Sequence, residues 1–426
     1  MKKLLLLISL SLVLWSKGSF YDLYAQNRAN NRPNLITADF ITSAYANYKL
    51  SRESEVELKI LKPRVLNFAN YLYQGVVEIN QPQKGKAIAY GAVFAILAKG
   101  GRGLIIPDGY EYLKDKIVKE ARLITEAKKI TTSPLSGKKT DYRLFAIPPK
   151  YKNHPAYYRT IKFAQTMPMP KQITQTINAS ERLTNLYRHI NKILEQFVGL
   201  SHNPKVLFAP KDTLDNLIFR ASAKPSINDI AKAIYPKNPN IKSALTKNPK
   251  KLQQLHQEVK EHILHLHSSY DYDWKIMQTL IQAGYINAFK GYYTQTKYRT
   301  RLFTKRFRQK RVQTKRVNLR TKASIEPKLV QTLSTMIEGA LLFSTTIKNN
   351  SIDLKMVEVL KELRRIVQTK RLTPKDIDFL NTLDLNFLNI IGVQDRPLSV
   401  WVAHGLVEEL REPKGFRYLH IERGIK

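Results

Sequence analysis

Residues 87–98 read AIAYGAVFAILA, twelve positions without a charge and with tyrosine as the only polar side chain. A helix exposed on one side keeps a polar face, so a stretch apolar all round must be buried all round. Its small residues, Ala and Gly, let neighbouring elements approach closely. The run is too short for the roughly 20 residues that span a bilayer. It therefore reads as a fully buried helix. The sequence around it is helical in the same sense. Ser180 is placed to cap a helix whose Leu183, Leu186, Tyr187, Ile190, Ile193, Leu194 and Phe197 recur at the spacing of one helix face. Thr373-Pro374-Lys375-Asp376 is a helix start, with a cap hydroxyl, a first-turn proline and a carboxylate near the positive end of the dipole. Met356, Leu360, Leu363 and Val367 form the seam of the helix before it, and Pro107-Asp108 is expected to open one with Leu113, Ile117 and Ile124 on one face. Strand-like alternation is scarce. The best pair is Leu398 to Val402 with Phe416 to Ile421, around a turn at Pro413 to Gly415. The fold class expected is mainly α: a multi-helix globular bundle with a small C-terminal β-hairpin.

The start of the chain reads as an export signal. Lys2 and Lys3 precede an apolar run from Leu4 to Trp15, short of a membrane span. Ser16-Lys17-Gly18 offers a small-x-small cleavage site before Ser19, and Ala25 offers a second. The organisation expected is a signal peptide over 1–25 and a flexible polar arm over 26–34. A helical subdomain over 35–200 and a second over 201–405 follow, with a hairpin or tail over 406–426. The location expected is the periplasm or the cell surface, with no transmembrane span in the mature chain. There is no cysteine, which excludes disulfides, thiolate zinc sites, a thiol nucleophile and a lipid-anchored lipoprotein. Stability must come from core burial.

The formal charge is +37, from 71 Lys and Arg against 34 Asp and Glu. Such a balance favours anionic partners. A proteome-wide basic bias accounts for the total equally well, but not for one local cluster. Residues 297–322 hold twelve basic side chains and no acid: Lys297, Arg299, Arg301, Lys305, Arg306, Arg308, Lys310, Arg311, Lys315, Arg316, Arg320 and Lys322. Tyr298, Phe303 and Phe307 are interleaved among them. Basic groups neutralise phosphates or sulfates and aromatic faces stack on bases or sugars. The run reads as an anionic-partner surface, or else as a solvated helix face docked through Leu302, Phe303 and Phe307. His262 and His265, one turn apart near Asp271 and Asp273, are weak metal candidates, since no HExxH-type base accompanies them. Lys99-Gly100-Gly101-Arg102-Gly103 lacks the ending of a phosphate loop and reads as a helix-terminating turn. No GxSxG elbow and no obvious acid/base pair is present, and no cofactor is expected.

The order of several short motifs resembles a large secreted prokaryotic family known only as a domain of unknown function (number thirty-one sixty). Ile36-Thr37-Ala38-Asp39-Phe40 with Ala44-Tyr45 resembles an early helix of that family, and Ala87 to Ala98 resembles its apolar helix. Ser133-Pro134-Leu135 to Asp141-Tyr142, then Tyr157-Tyr158-Arg159, resemble a central stretch. Phe197-Val198-Gly199 and Leu372-Thr373 to Phe379 resemble later ones. The chain departs where the family carries histidines or paired aspartates, with Ser43, Ala46, His202 and Asn203 in those places. A third family stretch is replaced by Arg306, Arg308, Lys310 and Arg311 of the basic run. The resemblance thus implies a fold and a compartment, and a member that has lost any activity the family has. The function expected is an exported, non-catalytic binding or structural protein of the cell envelope. Its basic surface would engage protein partners in an assembly, or an anionic polymer. A nucleic-acid-binding protein of DNA uptake or a ribonucleoprotein, and a metal-dependent enzyme, are the alternatives.

Overall fold

In the computed structural model of the chain, the described residues are 20–29, 34–36, 38–80, 82, 84–103, 105–199, 205–209, 264–282, 313–316, 323–325, 329–347, 351–369, 371–392 and 417–420. Most of them are helical. The elements run α1 (Phe20–Ala29), β1 (Asn34–Ile36) and α2 (Ala38–Val56), then a π-helical turn (Glu57–Leu61) that passes directly into α3 (Lys62–Glu78). They continue with α4 (Gly85–Ala98), α5 (Lys114–Glu126), β2 (Ile130–Thr132), β3 (Lys139–Asp141), α6 (Pro155–Thr166), α7 (Lys171–Ala179) and α8 (Glu181–Val198). Beyond these come α9 (Ser269–Gln282), β4 (Gln313–Arg316), β5 (Ala323–Ile325), α10 (Val330–Thr346) and α11 (Ser351–Gln368), with α12 (Pro374–Asn381), α13 (Leu383–Ile391) and β6 (Arg417–His420) last.

The chain divides into two compact units, one of residues 53–213 and one of residues 1–52 with 214–426. This corrects the expected division into 35–200 and 201–405. The reason is physical: side chains of α2 bond to residues some 300 positions later, so the first 52 residues belong with the C-terminal half.

In the unit of residues 53–213, α4 is the centre, with α3, α5, α6 and α7 packed around it. Every residue from Ala87 to Leu97 is buried, as its composition requires. Tyr90 and Phe94 of α4 meet Phe163 of α6 at ring-centroid distances of 4.7 and 5.8 Å. The Lys99–Gly103 segment ends α4 as expected: Gly100 and Gly101 take positive φ (71° and 90°), and the Gly101 amide donates back to the Ile96 carbonyl. The helix expected from Pro107 starts at Lys114, after a turn at Asp108-Gly109 and a short 3-10 segment at Glu111–Leu113. Leu113, Ile117 and Ile124 are nevertheless its buried face. The Ser180 cap of α8 is present, accepting from the Leu183 amide. β2 and β3 form an antiparallel ladder, in register Thr131 to Thr140.

In the other unit, α10 packs on α9 and α11, and α13 on α11 and α1. Met356, Val357, Leu360, Leu363 and Ile366 form the buried seam of α11, with Val367 half-buried at its edge. β1 pairs in parallel with β5, Asn34 opposite Ala323. Tyr24 of α1 is buried against Phe40, and Arg28 bonds to Asp384 and to the Asn381 carbonyl. The flexible arm expected over 26–34 is therefore, where described, the last turn of α1 and the first residue of β1. The strand expected within Phe416 to Ile421 exists as β6, and its described partner is β4. The proposed partner Leu398 to Val402 lies outside the described residues. No helix of the described residues is long and apolar enough to cross a membrane.

At Gly339 of α10 the chain approaches α9 closely. A Cβ there would stand 2.9 Å from the Tyr272 Cβ and 3.3 Å from the Tyr45 hydroxyl. By helix propensity alone, Gly339→Ala would stabilise by about 1 kcal/mol. Because Tyr272 Cβ is fixed to its own helix, the variant is expected instead to lose about 1–3 kcal/mol. Urea unfolding decides, and a raised midpoint would refute the close packing of α9 on α10.

Candidate functional site

The polar groups that the fold draws inward come first, because they decide what is left for binding. Asp353 lies on the α11 seam, three residues before Met356, and is fully buried. Its Oδ1 accepts from the Tyr48 hydroxyl at 2.7 Å and from Arg52 Nε at 2.9 Å, and its Oδ2 accepts from Arg52 Nη2 at 3.1 Å. Burial, and then the Asp353 carboxylate, push the Tyr48 phenol far above its usual pKa, so it remains a neutral donor. One turn earlier on α2, Lys49 is also fully buried. It donates to Ser269 Oγ, stands 3.7 Å from Asp273 Oδ2 and lies 4.8 Å from the Phe343 ring centroid. Two cations of α2 thus meet two carboxylates from α9 and α11. Charges removed from water demand such pairing, and the pairing fixes where α2 sits.

Glu53, Glu57 and Glu120 are buried carboxylates in the unit of residues 53–213. Glu120, on the α5 seam between Ile117 and Ile124, accepts from Ser133 Oγ (2.7 Å), the Leu135 amide (3.2 Å) and the Tyr142 hydroxyl (2.6 Å). Glu57, in the π-helical turn, accepts from the hydroxyls of Tyr151 (2.7 Å) and Tyr157 (3.2 Å). Tyr158 places its ring 5.0 Å from that of Tyr151, and Arg159 Nη2 donates to the Thr125 carbonyl at 2.9 Å. The Ser-Pro-Leu to Asp-Tyr motif and the Tyr-Tyr-Arg motif therefore act as internal clamps: the first converges on Glu120, and Tyr157 of the second on Glu57. Half-buried Lys62 and His154 meet beside them, Nζ to Nδ1 at 3.2 Å.

Carboxylates are taken inside far more often than cations. Among the described residues, Glu53, Glu57, Glu120, Asp271, Asp273, Asp353, Asp376 and Asp384 are buried, against only Lys49 and Arg52. The surface of the described residues is accordingly more basic than their composition alone states.

Of the basic run, Lys315 and Arg316 lie on β4, opposite Tyr418 and Arg417 of β6. Lys297, Arg299, Arg301, Lys305, Arg306, Arg308, Lys310, Arg311, Arg320 and Lys322 lie outside the described residues, as do His262, His202 and Asn203. His265 is exposed, with its ring 6.1 Å from that of His267. Asp271 is spent on the start of α9, where it accepts from the His267 and Ser268 amides and from Ser268 Oγ. No group of three or more His, Asp or Glu suited to a metal ion occurs among the described residues. Sequence reasoning overlooked the buried clusters, although one signal was present: Asp353 and Glu120 each occupy an apolar position of a helix seam.

A family described as a protein of unknown function (DUF3160) matches residues 6–251. The chain belongs to that family. The match takes in the early helix, the apolar helix and the Ser-Pro-Leu, Tyr-Tyr-Arg and Val-Gly motifs of this DUF3160 protein. The basic run and the late helix from Leu372 lie beyond it. No curated protein and no solved structure gives a significant match.

Two outcomes are expected from this chemistry. Asp353→Ala takes from buried Arg52 the carboxylate to which its Nε and Nη2 donate and is expected to cost about 3–5 kcal/mol, read by urea unfolding. A loss under about 1 kcal/mol, the surface-pair range, would refute the buried pairing. Asp376 closes a capping box with Thr373: the Thr373 amide and hydroxyl, together with Arg365, hold its carboxyl down from the usual 3.8 to about 2. A depressed folded pKa stabilises fully above the unfolded value and fades as pH falls through the folded one. Removing the carboxylate by Asp376→Asn should therefore lower the melting temperature above about pH 4, with the gap to the parent closing as pH approaches 2. A gap independent of pH would refute the assignment.

Proposed function

We propose that this DUF3160 protein is exported and acts as a non-catalytic binding or structural component of the cell envelope, in the periplasm or at the cell surface. Its basic surface engages an acidic protein partner or an anionic polymer within an assembly. The observation that carries this reading is the run of twelve Lys and Arg without an acid in residues 297–322. Three others support it. Lys2, Lys3 and the apolar Leu4 to Trp15 have the form of an export signal. The inward turning of carboxylates leaves cations to face solvent. The clamps on Glu57 and Glu120 and the pairing of Asp353 occupy these buried carboxylates in holding helices together. A charge of +37 on a free protein would bind anions indiscriminately, which favours a place inside an assembly.

Recovery of the full chain from envelope fractions at low and physiological salt, with and without nuclease, tests the proposal. A defined set of proteins that survives nuclease and is released by salt is the expected result. Recovery of nucleic acid alone, abolished by nuclease, would replace it with the nucleic-acid reading, which the interleaved Tyr298, Phe303 and Phe307 favour. Replacing Lys305, Arg306, Arg308, Lys310 and Arg311 together by alanine should weaken capture of a sulfated or phosphorylated polymer and flatten its salt dependence. Each lost contact should remove about 0.7–0.9 from the log–log slope. An unchanged slope would sink the electrostatic reading.

A further inference from the structure

The export reading leaves two places for the leader to be cut, after Gly18 or after Ala25, and the packing of α1 distinguishes them. We propose that the mature protein begins at Ser19. An envelope endopeptidase that removes leaders hydrolyses the Gly18–Ser19 amide. Water adds across the bond to leave a carboxylate on Gly18 and an amine on Ser19. This inference rests on the proposal of export.

A cut after Ala25 would remove Tyr21 and Tyr24. Tyr24 is 1% exposed and meets the Phe40 ring edge-on, with centroids 4.7 Å apart. Tyr21 meets the same ring at 5.7 Å. Burial and the neighbouring Asp384 carboxylate raise its phenol pKa well above the usual value. Phe40 in turn meets Phe387 of α13 at 5.5 Å, so the two tyrosines cover one side of an aromatic cluster joining α1, α2 and α13. The four residues left of α1 are far too few to hold a helix. That helix is what presents Arg28 to buried Asp384 and to the Asn381 carbonyl. A cut after Gly18 leaves Phe20–Ala29 whole. The leader sequence agrees. Small residues, Ser16 and Gly18, precede the first bond at the third and first positions, whereas Leu23 stands at the third position before the bond after Ala25.

Intact mass and N-terminal sequencing of the full chain, exported by a bacterial host, read the answer. A mature chain starting at Ser19 is the expected result. A start at Gln26 would overturn the inference and leave export standing, and an uncut chain starting at Met1 would overturn both. Gly18→Leu should abolish cutting and Ala25→Leu should leave it unchanged; the reverse pattern overturns the assignment. Chains produced without a leader separate packing from protease preference. The one starting at Gln26 should melt about 5–10 °C below the one starting at Ser19, and equal melting would show that α1 is dispensable.

Discussion

The contact on which the fold turns is the buried pairing of Arg52 and Tyr48 with Asp353. It joins residues 301 positions apart in the chain, with none of the three groups left to water. Closing so long a loop is entropically costly, although the cost grows only logarithmically with length. Across that loop α2 meets α9 and α10 through Lys49, beside Ser269 and Phe343, and α11 through Tyr48 and Arg52. The ion pair itself contributes little net energy over an apolar contact of the same shape. Its effect is on choice: any other seating of α2 leaves a cation or a carboxylate buried alone. Lys49 with Asp273 imposes the same restriction one turn away.

Burying carboxylates has a second consequence. Glu57 and Glu120 are held by neutral hydroxyls and, for Glu120, a backbone amide, and Asp353 by a hydroxyl and a cation. Among the described residues the lysines and arginines other than Lys49 and Arg52, with long apolar stems and well-hydrated heads, are not buried. That part of the chain thereby shows solvent a more positive face than its composition states. Folding and charge presentation are in this sense one process: the acids that would have neutralised the surface are used to clamp helices.

The same view changes the meaning of the family's shared motifs in this chain. Ser133, Leu135 and Tyr142 all meet on Glu120. Tyr157 serves Glu57 beside a π-helical turn, an irregularity often associated with function, and here one that directs a carboxylate inward.

Much of the helical architecture was legible from the sequence. The all-round apolarity of Ala87 to Ala98, the Ser180 and Thr373 caps and the α11 seam depend on side chains within a few residues of one another, and local spacing reports them. The family was legible for the same reason. Tertiary structure alone decided the division into units, the place of α1 in a core and the partners of Asp353, Glu57 and Glu120. These are pairings between distant segments, and an acidic residue on a helix seam announces that it needs a partner without naming it. Sequence spacing fixes which face of a helix is buried; only the folded chain determines what covers that face, because that depends on contacts made across hundreds of residues.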